Sequence, residues 1–367
     1  MDTQDILNHR LISQSICGVT PKKPEEVVYS LGAMQAQDYN SALWAIGLRC
    51  NGDTTMSDIH TSIDERKIVR TWLMRGTLHF ASSQDVRWML SLFAPRLVST
   101  AKLRDRHLGL SDVDVDRAKS LFFEALHSGK QLARDELYRI LEENGLRSTK
   151  TLGYHMLYRA AWDGLICFGS HNGKQPAFAL LDEWVHGGTE LTGEEALGEL
   201  ALRYFTGHGP ATLNDFAWWS GLKVTDAKIG LLKTSSKLKK EVIGDITYYG
   251  STKTPAPIKN GQTVHLLPAF DEYLVGYEDR SAMLGNKQTR EWINSGKAVV
   301  HSNGVFAPVI VIDGEVLGTW KRTQTEKNAV IILTQFTKLS GEQLSDVRSV
   351  VERYGKFFQT DTILKIN

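Results

Sequence analysis

The apolar pattern changes period at Ile68, and this change constrains the fold more than any other feature of the chain. Upstream, apolar residues recur at helical spacing from Ile6 to Ile16, after Pro24, and from Thr55 to Ile63. The following segment IVRTWLMRGTLHF (68–80) is β-branched and aromatic and is interrupted at Arg75-Gly76, which is a hairpin signal. Three helices followed by a two-stranded hairpin is the element order of a winged helix-turn-helix module.

The same order of elements recurs twice further along the chain. Helical patterns around 113–128, 133–144 and 149–163 precede strand patterns at Leu165–Phe168 and Ala177–Leu180, and helical patterns around 193–206, 211–220 and 225–236 precede strand patterns at Glu241–Ile243 and Ile246–Tyr249. In each copy a short helix opens on a polar cap and ends at a glycine, Gly145 or Gly221. The repeated order predicts three tandem winged-helix modules.

The C-terminal third has a strand-rich texture. Strand patterns occupy VHLLP (264–268), VFAPVIVID (305–313), EVLGTWKR (315–322) and NAVIILTQF (328–336), and Asp313-Gly314 between two of them predicts a tight hairpin. An amphipathic helix follows at 341–358. We therefore predict an α+β fold with a winged helix at 1–110, a second at 111–190, a third at 191–255, and a β-rich, barrel-like subdomain closed by a helix at 256–367.

Charge is distributed unevenly although the net charge is only +1, from 43 basic and 42 acidic residues. That balance excludes a polybasic tail protein and a highly acidic one. Between Arg66 and Arg106, however, nine basic residues face two acidic ones, and between Lys228 and Lys259 seven lysines face two acidic residues. The stretch 107–200 compensates with fifteen acidic against nine basic residues. Basic segments of this kind suit binding to phosphates; the alternative is a pair of solvated faces.

Several classes of protein are excluded by what the sequence lacks. Cys17, Cys50 and Cys167 contain no close pair, the histidines form no HxxxH or HxH pattern, and no GxGxxG or Walker loop occurs. We therefore expect no metal and no cofactor. The N-terminal segment is acidic and amphipathic, unlike a signal peptide, and no apolar run approaches the roughly 20 residues of a membrane helix. We expect a cytoplasmic protein.

The segment Met34-Gln35-Ala36-Gln37-Asp38 stands where the second helix should end. Gln35 and Gln37 would diverge on a helix, whereas on an extended or turned segment leaving the helix they could converge on one site. An amide cannot act as a general base, but it can position a water molecule or a base edge. Two polar residues at a helix end are the simpler interpretation, and Asp38 is a carboxylate partner or a turn residue.

Two other segments carry candidate binding residues. In TWLMRGTLH (71–79), the hairpin tip at Arg75-Gly76 suits close approach to a phosphate, and His79 is a phosphate contact, a ligand or a core imidazole. The segments PAFDEY (268–273) and YEDR (277–280) gather carboxylates, tyrosines and Arg280, which suits either catalysis or a structural ion-pair network. Trp218-Trp219 is expected to be core rather than a base-stacking surface.

Five segments together resemble one known family, the AlkZ-type winged-helix DNA glycosylases. They are MQAQ (34–37), RTWLMRGTLH (70–79), GHGPATLNDFAWWSGL (207–222), PAFDEYLVGYEDR (268–280) and GVFAPVIVIDGEVLGTWKR (304–322). They occur in order and are spread along nearly the whole chain. The resemblance implies three tandem winged helices with a C-terminal barrel-like element. It also implies excision of N7-alkylated purines, and in some members unhooking of interstrand crosslinks, without a metal or redox cofactor.

The resemblance also implies roles for individual residues. The family's catalytic motif is a glutamine, an apolar residue, then glutamine or aspartate, so Gln35 and Gln37 are the expected catalytic pair and match the Gln/Gln branch linked to crosslink unhooking. We expect DNA contacts from basic and aromatic residues of the matching segments and from one threonine of the hairpin, namely Arg70, Arg75, Thr77, His79, Tyr273, Arg280 and Arg322.

The leading hypothesis is a monomeric, cytoplasmic DNA repair glycosylase that acts on alkylated purines in double-stranded DNA. The rival is a non-catalytic winged-helix DNA binder such as a transcription regulator, although regulators usually dimerise and carry a separate effector domain. A third hypothesis is a protein-interaction scaffold, for which DNA binding would be absent.

Overall fold

The computed structural model describes residues 2–172, 175–253, 263–294, 300–301, 304–305, 307–324 and 328–367. The chain divides into two units: the first comprises Met1–Ile59 and Gly198–Asn367, and the second comprises His60–Leu197. Lys259, at the end of the second basic segment, and Phe306, in a predicted strand, lie outside the described residues.

The helices and strands alternate along the chain in a mixed α/β arrangement. The helices are α1 (Thr3–Ser13), α2 (Pro24–Leu31), α3 (Tyr39–Gly47), α4 (Met56–Asp64), α5 (Val86–His107), α6 (Asp112–Leu126), α7 (Arg134–Glu143), α8 (Lys150–Trp162), α9 (Leu181–Trp184), α10 (Gly193–His208), α11 (Leu213–Ser220), α12 (Val224–Thr234), α13 (Glu272–Val275), α14 (Ser281–Leu284), α15 (Lys287–Asn294) and α16 (Gly341–Phe358). The strands are β1 (Ala33–Gln35), β2 (Ile68–Trp72), β3 (Leu78–Ser82), β4 (Leu132–Ala133), β5 (Ile166–Asn172), β6 (Gln175–Leu180), β7 (Leu238–Ile243), β8 (Ile246–Ser251), β9 (Val264–Leu267), β10 (Val300–His301), β11 (Gly304–Val305), β12 (Val309–Ile312), β13 (Glu315–Gln324), β14 (Asn328–Gln335) and β15 (Asp361–Ile366).

The second unit is built on a sheet in which the strands β3, β2, β5, β6 and β4 are neighbours in that order. The hairpin predicted at 68–80, called the wing below, forms the antiparallel pair β2–β3. Trp72 lies opposite Leu78 across a turn at Arg75-Gly76, so the hairpin prediction is confirmed. Arg70 pairs with Phe168, which joins this hairpin to the hairpin β5–β6. The apolar face packs against α6, α7 and α8 through a core that includes Trp72 and Phe122.

The long helix α5 was not predicted from the sequence. Pro95 lies inside it, and a proline within a helical pattern normally indicates a helix end. Because of α5, most of the nine basic residues between Arg66 and Arg106 lie on a helix and not in the hairpin. Arg70 and Arg75 belong to the wing, but the side chains of α5 supply most of the positive charge, from Arg87, Arg96, Lys102, Arg104 and Arg106. Of the nine basic residues between Arg66 and Arg106, only Arg70 and Arg75 therefore lie in the hairpin.

The first unit contains a five-stranded sheet in the order β15, β14, β13, β12, β9. Asp313 and Gly314 both have positive φ, 50° and 88°, as a type I′ hairpin turn requires, so that prediction is confirmed. The helix α16 packs on this sheet with Val347, Val351, Tyr354 and Phe357 buried. The sequence predicted that this helix would be the last element of the subdomain. Instead, β15 follows α16 and pairs in parallel with β14.

Near the N-terminus the structure adds a helix that the sequence pattern did not predict. Residues Tyr39–Gly47 form α3, which starts at Asp38, whose carboxylate accepts the Ser41 N–H at 2.8 Å. The helix is almost entirely buried, and a helix that is apolar all round has no amphipathic period to detect. Within the described part of the chain, no helix has the length and apolar character needed to cross a bilayer.

Close packing of α10 against α2 depends on Gly207. A Cβ at this position would lie 2.6 Å from the Ser30 carbonyl oxygen, which is backbone and cannot rotate away. We predict that Gly207→Ala lowers the free energy of unfolding by about 1–3 kcal/mol, since overpacking exceeds the gain in helix propensity. Urea denaturation measures the change. The control is Gly341→Ala in α16, where nothing lies within 4 Å, and equal losses in both variants would refute the packing argument.

Candidate active site

The Gln35-Ala36-Gln37 segment connects a helix to a helix through a short strand. α2 ends at Gly32, whose φ of 79° favours glycine, and the chain then extends through β1 before Asp38 caps α3. Gln35 is 8% exposed, whereas Gln37 is exposed to solvent. β1 ends at Gln35 and Gln37 lies in the bend before α3, so the segment is not helical, and Asp38 serves as the cap of α3.

A buried carboxylate lies directly behind Gln35. Glu272, which is 1% exposed, accepts the Gln35 backbone N–H through Oε1 at 2.7 Å. Its other oxygen, Oε2, accepts the Trp219 indole N–H at 2.9 Å and lies 3.4 Å from His208 Nε2. Hydrogen bonds to an ionised acceptor in a region of low dielectric are strong, so this carboxylate restrains the backbone at Gln35.

The position of Glu272 depends on the preceding residue. Asp271 caps the one-turn helix α13 and forms a two-pronged ion pair with Arg49, with N–O distances of 2.8 and 2.7 Å. Both side chains are fully buried. Arg49 also donates to the Ala45 carbonyl and to both the carbonyl and the side-chain oxygen of Gln14. These bonds pair the N–H donors of the guanidinium, and a buried cation is stable only when its donors are paired in this way.

Aromatic rings surround the His208 side of this network. The Tyr204 ring stacks on the His208 ring at 4.8 Å, and the Tyr277 hydroxyl donates to the His208 carbonyl at 2.6 Å. Burial raises the pKa of Tyr204 well above its usual value, so this hydroxyl remains a donor, here to the Gly276 carbonyl. Among the described residues, His208 Nδ1 has no hydrogen-bond partner, whereas Nε2 faces the Glu272 carboxylate.

The carboxylate and tyrosine cluster at 268–280 is therefore a structural network. Tyr273 is 0% exposed and its hydroxyl donates to the Gly314 carbonyl at 2.9 Å. Arg280 donates to the Leu274 carbonyl at 2.7 Å and lies over the Trp218 ring, and burial lowers its pKa. Of the two interpretations left open by the sequence, these contacts favour the structural one.

The wing residues divide into buried and accessible groups. Arg75 lies at the hairpin tip with φ 57°, partly exposed, and Thr77 beside it donates to the Met74 carbonyl. Arg70 is 8% exposed with its guanidinium 4.9 Å from the centre of the Phe168 ring. His79 is fully buried and its Nδ1 donates to the Thr77 carbonyl at 2.9 Å, as expected of a core imidazole. Arg75 and Thr77 are thus the wing candidates with accessible surface.

Arg322 lies on β13, in the first unit. Its guanidinium is 3.4 Å from the Tyr354 hydroxyl and 5.0 Å from the centre of the Phe358 ring. It is partly exposed, so its side chain supports the sheet–helix packing and also reaches the surface.

The cysteines are not candidates for nucleophilic catalysis. All three are free thiols, and burial raises the pKa of Cys17 to about 11 and that of Cys50 to about 12. A thiol with so high a pKa carries a negligible thiolate fraction at neutral pH.

The sequence pattern did not identify Glu272 as the partner of Gln35, or His208 and Trp219 as neighbours of Glu272. Each lies in one of the segments that carry the family resemblance, and Trp219 was expected in the core, where it is found. The signal that points to them is the presence of polar residues in otherwise buried segments, but Gln35 lies 237 positions from Glu272 in the chain.

Comparisons with known proteins agree on one family. Residues 28–357 match the sequence model of the AlkZ-like DNA glycosylases. The chain is 26% identical over 349 residues to an interstrand DNA cross-link repair glycosylase of Streptomyces sahachiroi, an alignment that covers 86% of each protein. The solved structure of the Streptomyces sahachiroi DNA glycosylase AlkZ superposes with a TM-score of 0.80 over 100% of both chains at 21% identity, so the two share a fold.

The buried pair Arg49–Asp271 should dominate the stability of this region. We predict that Asp271→Asn lowers the free energy of unfolding by about 3–5 kcal/mol, because it leaves a buried guanidinium without its counter-charge. Asp182→Asn is the control, since Asp182 pairs with Arg87 on the surface and such pairs contribute about 0–1 kcal/mol. Both values come from urea denaturation, and a loss below 1 kcal/mol for Asp271→Asn would contradict the prediction.

Proposed function

The chain belongs to the AlkZ-like DNA glycosylase family, a family of N-glycosyl hydrolases, and from this premise we propose that it releases N7-alkylated purines from double-stranded DNA. The observation that carries the proposal is the non-helical Gln35-Ala36-Gln37 segment, in which Gln35 is buried and its backbone N–H is bonded to Glu272, while Gln37 is exposed. The backbone of the first glutamine is restrained from the buried side, and the second glutamine lies at the surface.

The chemistry required of these residues is modest. Alkylation at N7 places a positive charge on the purine, which makes the base a good leaving group and generates an oxocarbenium-like sugar as the bond breaks. The enzyme must position a water molecule and stabilise that sugar, without strong acid catalysis. An amide accepts and donates hydrogen bonds at once, so Gln37 orients the attacking water and Gln35 supports it.

The substrate range extends to interstrand crosslinks in this proposal. Two observations support the extension: the relative of Streptomyces sahachiroi is named for crosslink repair, and this chain carries the Gln/Gln form of the motif. A crosslink attached through N7 of a purine carries the same positive charge on each base. Hydrolysis of one N-glycosidic bond by the same reaction therefore unhooks the two strands.

Binding to the DNA backbone is assigned to the accessible part of the wing. Arg75 and Thr77 contact phosphates, whereas Arg70 and His79 hold the hairpin from within, because they are almost fully buried. Tyr273, Arg280 and Arg322 act through the packing of the first unit. This proposal keeps the predicted arrangement of three tandem winged helices with a β-rich C-terminal part, acting as a cytoplasmic monomer that in a bacterium is associated with the nucleoid.

A base-release assay separates this proposal from a non-catalytic DNA binder. Duplex DNA with a defined N7-alkylguanine is incubated with the protein, and free base is quantified by chromatography. Release identifies a glycosylase, whereas a saturable, sequence-specific mobility shift without release identifies a regulator. Absence of any salt-sensitive binding would instead favour a protein-interaction scaffold.

The two glutamines are predicted to act in the chemical step. Gln35→Ala combined with Gln37→Ala should lower the single-turnover rate of base release by at least about 100-fold, since the water loses its orientation. The affinity for the same DNA should change less than about threefold, because these side chains contribute little charge to phosphate binding. Single-turnover excision and fluorescence anisotropy measure the two quantities, and full activity in the double variant would remove the assignment.

Arg75 is predicted to act in binding instead. Arg75→Ala should weaken binding about equally for all DNA sequences and should reduce the slope of log affinity against log salt by about 1, as expected for one phosphate contact. Titrations between low and high salt measure this slope. Lys287→Ala is the control, because Lys287 is exposed and pairs with Glu291 outside the wing. An unchanged slope in Arg75→Ala would place the phosphate contact elsewhere.

A further inference from the structure

Glu272 makes a contact that joins the candidate catalytic segment to a distant part of the chain. Its carboxylate accepts the backbone N–H of Gln35, two positions before the exposed Gln37 and 237 positions away in the sequence. We propose that Glu272 is a positioning residue, which fixes the Gln35 backbone so that the two amides keep one orientation toward the scissile bond. This inference rests on the proposed function of Gln35 and Gln37.

The geometry of the carboxylate supports a fixed orientation. The Gln35 N–H contacts Oε1 at 2.7 Å, whereas the Trp219 N–H contacts Oε2 at 2.9 Å. With His208 Nε2 also 3.4 Å from Oε2, both oxygens are engaged and the side chain cannot rotate without breaking a buried hydrogen bond. The Gln35 N–H thus points at an acceptor whose own position is determined.

The scaffold around Glu272 leaves little room for adjustment. A Cβ on Gly276 would lie 2.9 Å from His208 Cδ2 and 2.5 Å from the Glu272 carbonyl oxygen, so α13 and the end of α10 are in close contact. Asp271, held by Arg49, determines where α13 begins. Because both flanking contacts are buried, a change at the Glu272 carboxylate is transmitted to Gln35 rather than absorbed by movement of α13.

A second buried carboxylate in the same unit provides a matched comparison. Asp215 is also almost fully buried, and it accepts backbone N–H groups from Thr212 at 2.9 Å and from Glu278 and Asp279 at 3.0 and 3.2 Å. Like Glu272 it accepts several buried N–H groups, but its partners are the start of α11, the 278–279 backbone and Arg10, which lies 3.8 Å away, and none of them belongs to the glutamine segment. If Glu272 has only a structural role, replacing its carboxylate should have the same effects on stability and on activity as replacing that of Asp215.

The experiment compares Glu272→Gln with Asp215→Asn. For Glu272→Gln we expect the single-turnover rate of base release to fall about 10- to 100-fold, the range for a catalytic group displaced by up to about 1 Å, while the DNA dissociation constant changes less than about threefold. For Asp215→Asn we expect a comparable loss of thermal stability with a rate within about threefold of wild type. Equal rate losses in the two variants, or a rate loss that follows stability, would overturn the proposal.

A spectroscopic readout tests the positioning role without relying on activity. In protein labelled with ¹⁵N-glutamine, the Gln35 backbone amide should appear strongly downfield, because its proton bonds to a carboxylate, and should move upfield in Glu272→Gln but not in Asp215→Asn. An unmoved signal refutes the proposal. If wild-type protein releases no base, the proposed function fails, and this amide signal still decides whether Glu272 orients Gln35.

Trp219→Phe provides a milder second variant in case Glu272→Gln does not yield folded protein. It removes one donor to the same carboxylate and keeps most of the ring volume. We expect a smaller rate loss, about 3- to 10-fold, with a partial shift of the Gln35 amide in the same direction and no change in DNA affinity. Wild-type values for both the rate and the amide shift would overturn the proposal.

Discussion

The buried ion pair between Arg49 and Asp271 is the contact on which the candidate site depends. It joins α3 to the start of α13, and through the bonds of Arg49 to Gln14 it also joins the end of α1. Removing two charges from water costs several kcal/mol, which is offset only if nearly every donor is used. Arg49 meets this condition by donating to Gln14, Ala45 and Asp271. A pair that must be this complete tolerates little variation in the positions of the three segments it connects.

The next residue along the chain, Glu272, connects this ion pair to the segment that carries the two glutamines. Because Asp271 places α13, the Glu272 carboxylate lies where the Gln35 backbone, Trp219 and His208 converge. The segment bearing the glutamines is thereby restrained from its buried side while Gln37 remains exposed. This arrangement suits a reaction whose leaving group already carries positive charge, since such a reaction needs orientation of water more than it needs a strong acid or base.

The chain belongs to the AlkZ-like DNA glycosylase family, and two of the segments that carry the resemblance contain several buried polar residues. GHGPATLNDFAWWSGL supplies His208, Asp215 and Trp219, and PAFDEYLVGYEDR supplies Asp271, Glu272 and Tyr277. From the sequence, this second segment suited catalysis, DNA contact or a structural ion-pair network. In the fold, Asp271, Glu272 and Tyr277 bond to other segments of the first unit, and Glu272 reaches the glutamine segment from its buried side. Arg75, by contrast, lies at a hairpin tip and is partly exposed.

Local structure was determined largely by the sequence itself. Pro24 opens α2, Arg75-Gly76 and Asp313-Gly314 turn hairpins, and Gly221 ends α11 in the left-handed conformation, because caps and turns depend on a few adjacent residues. Helices α3 and α5 escaped detection, since residues 42–47 of α3 are all buried and α5 contains Pro95, and the short helices α9, α13, α14 and α15 were not predicted either. The glutamine pair was identifiable through its resemblance to a family motif. Only the tertiary structure decided that His79 and Tyr273 are buried and that Glu272, among several neighbouring carboxylates, faces Gln35. Such choices depend on contacts between segments hundreds of residues apart, and no local pattern encodes which buried donor a carboxylate will meet.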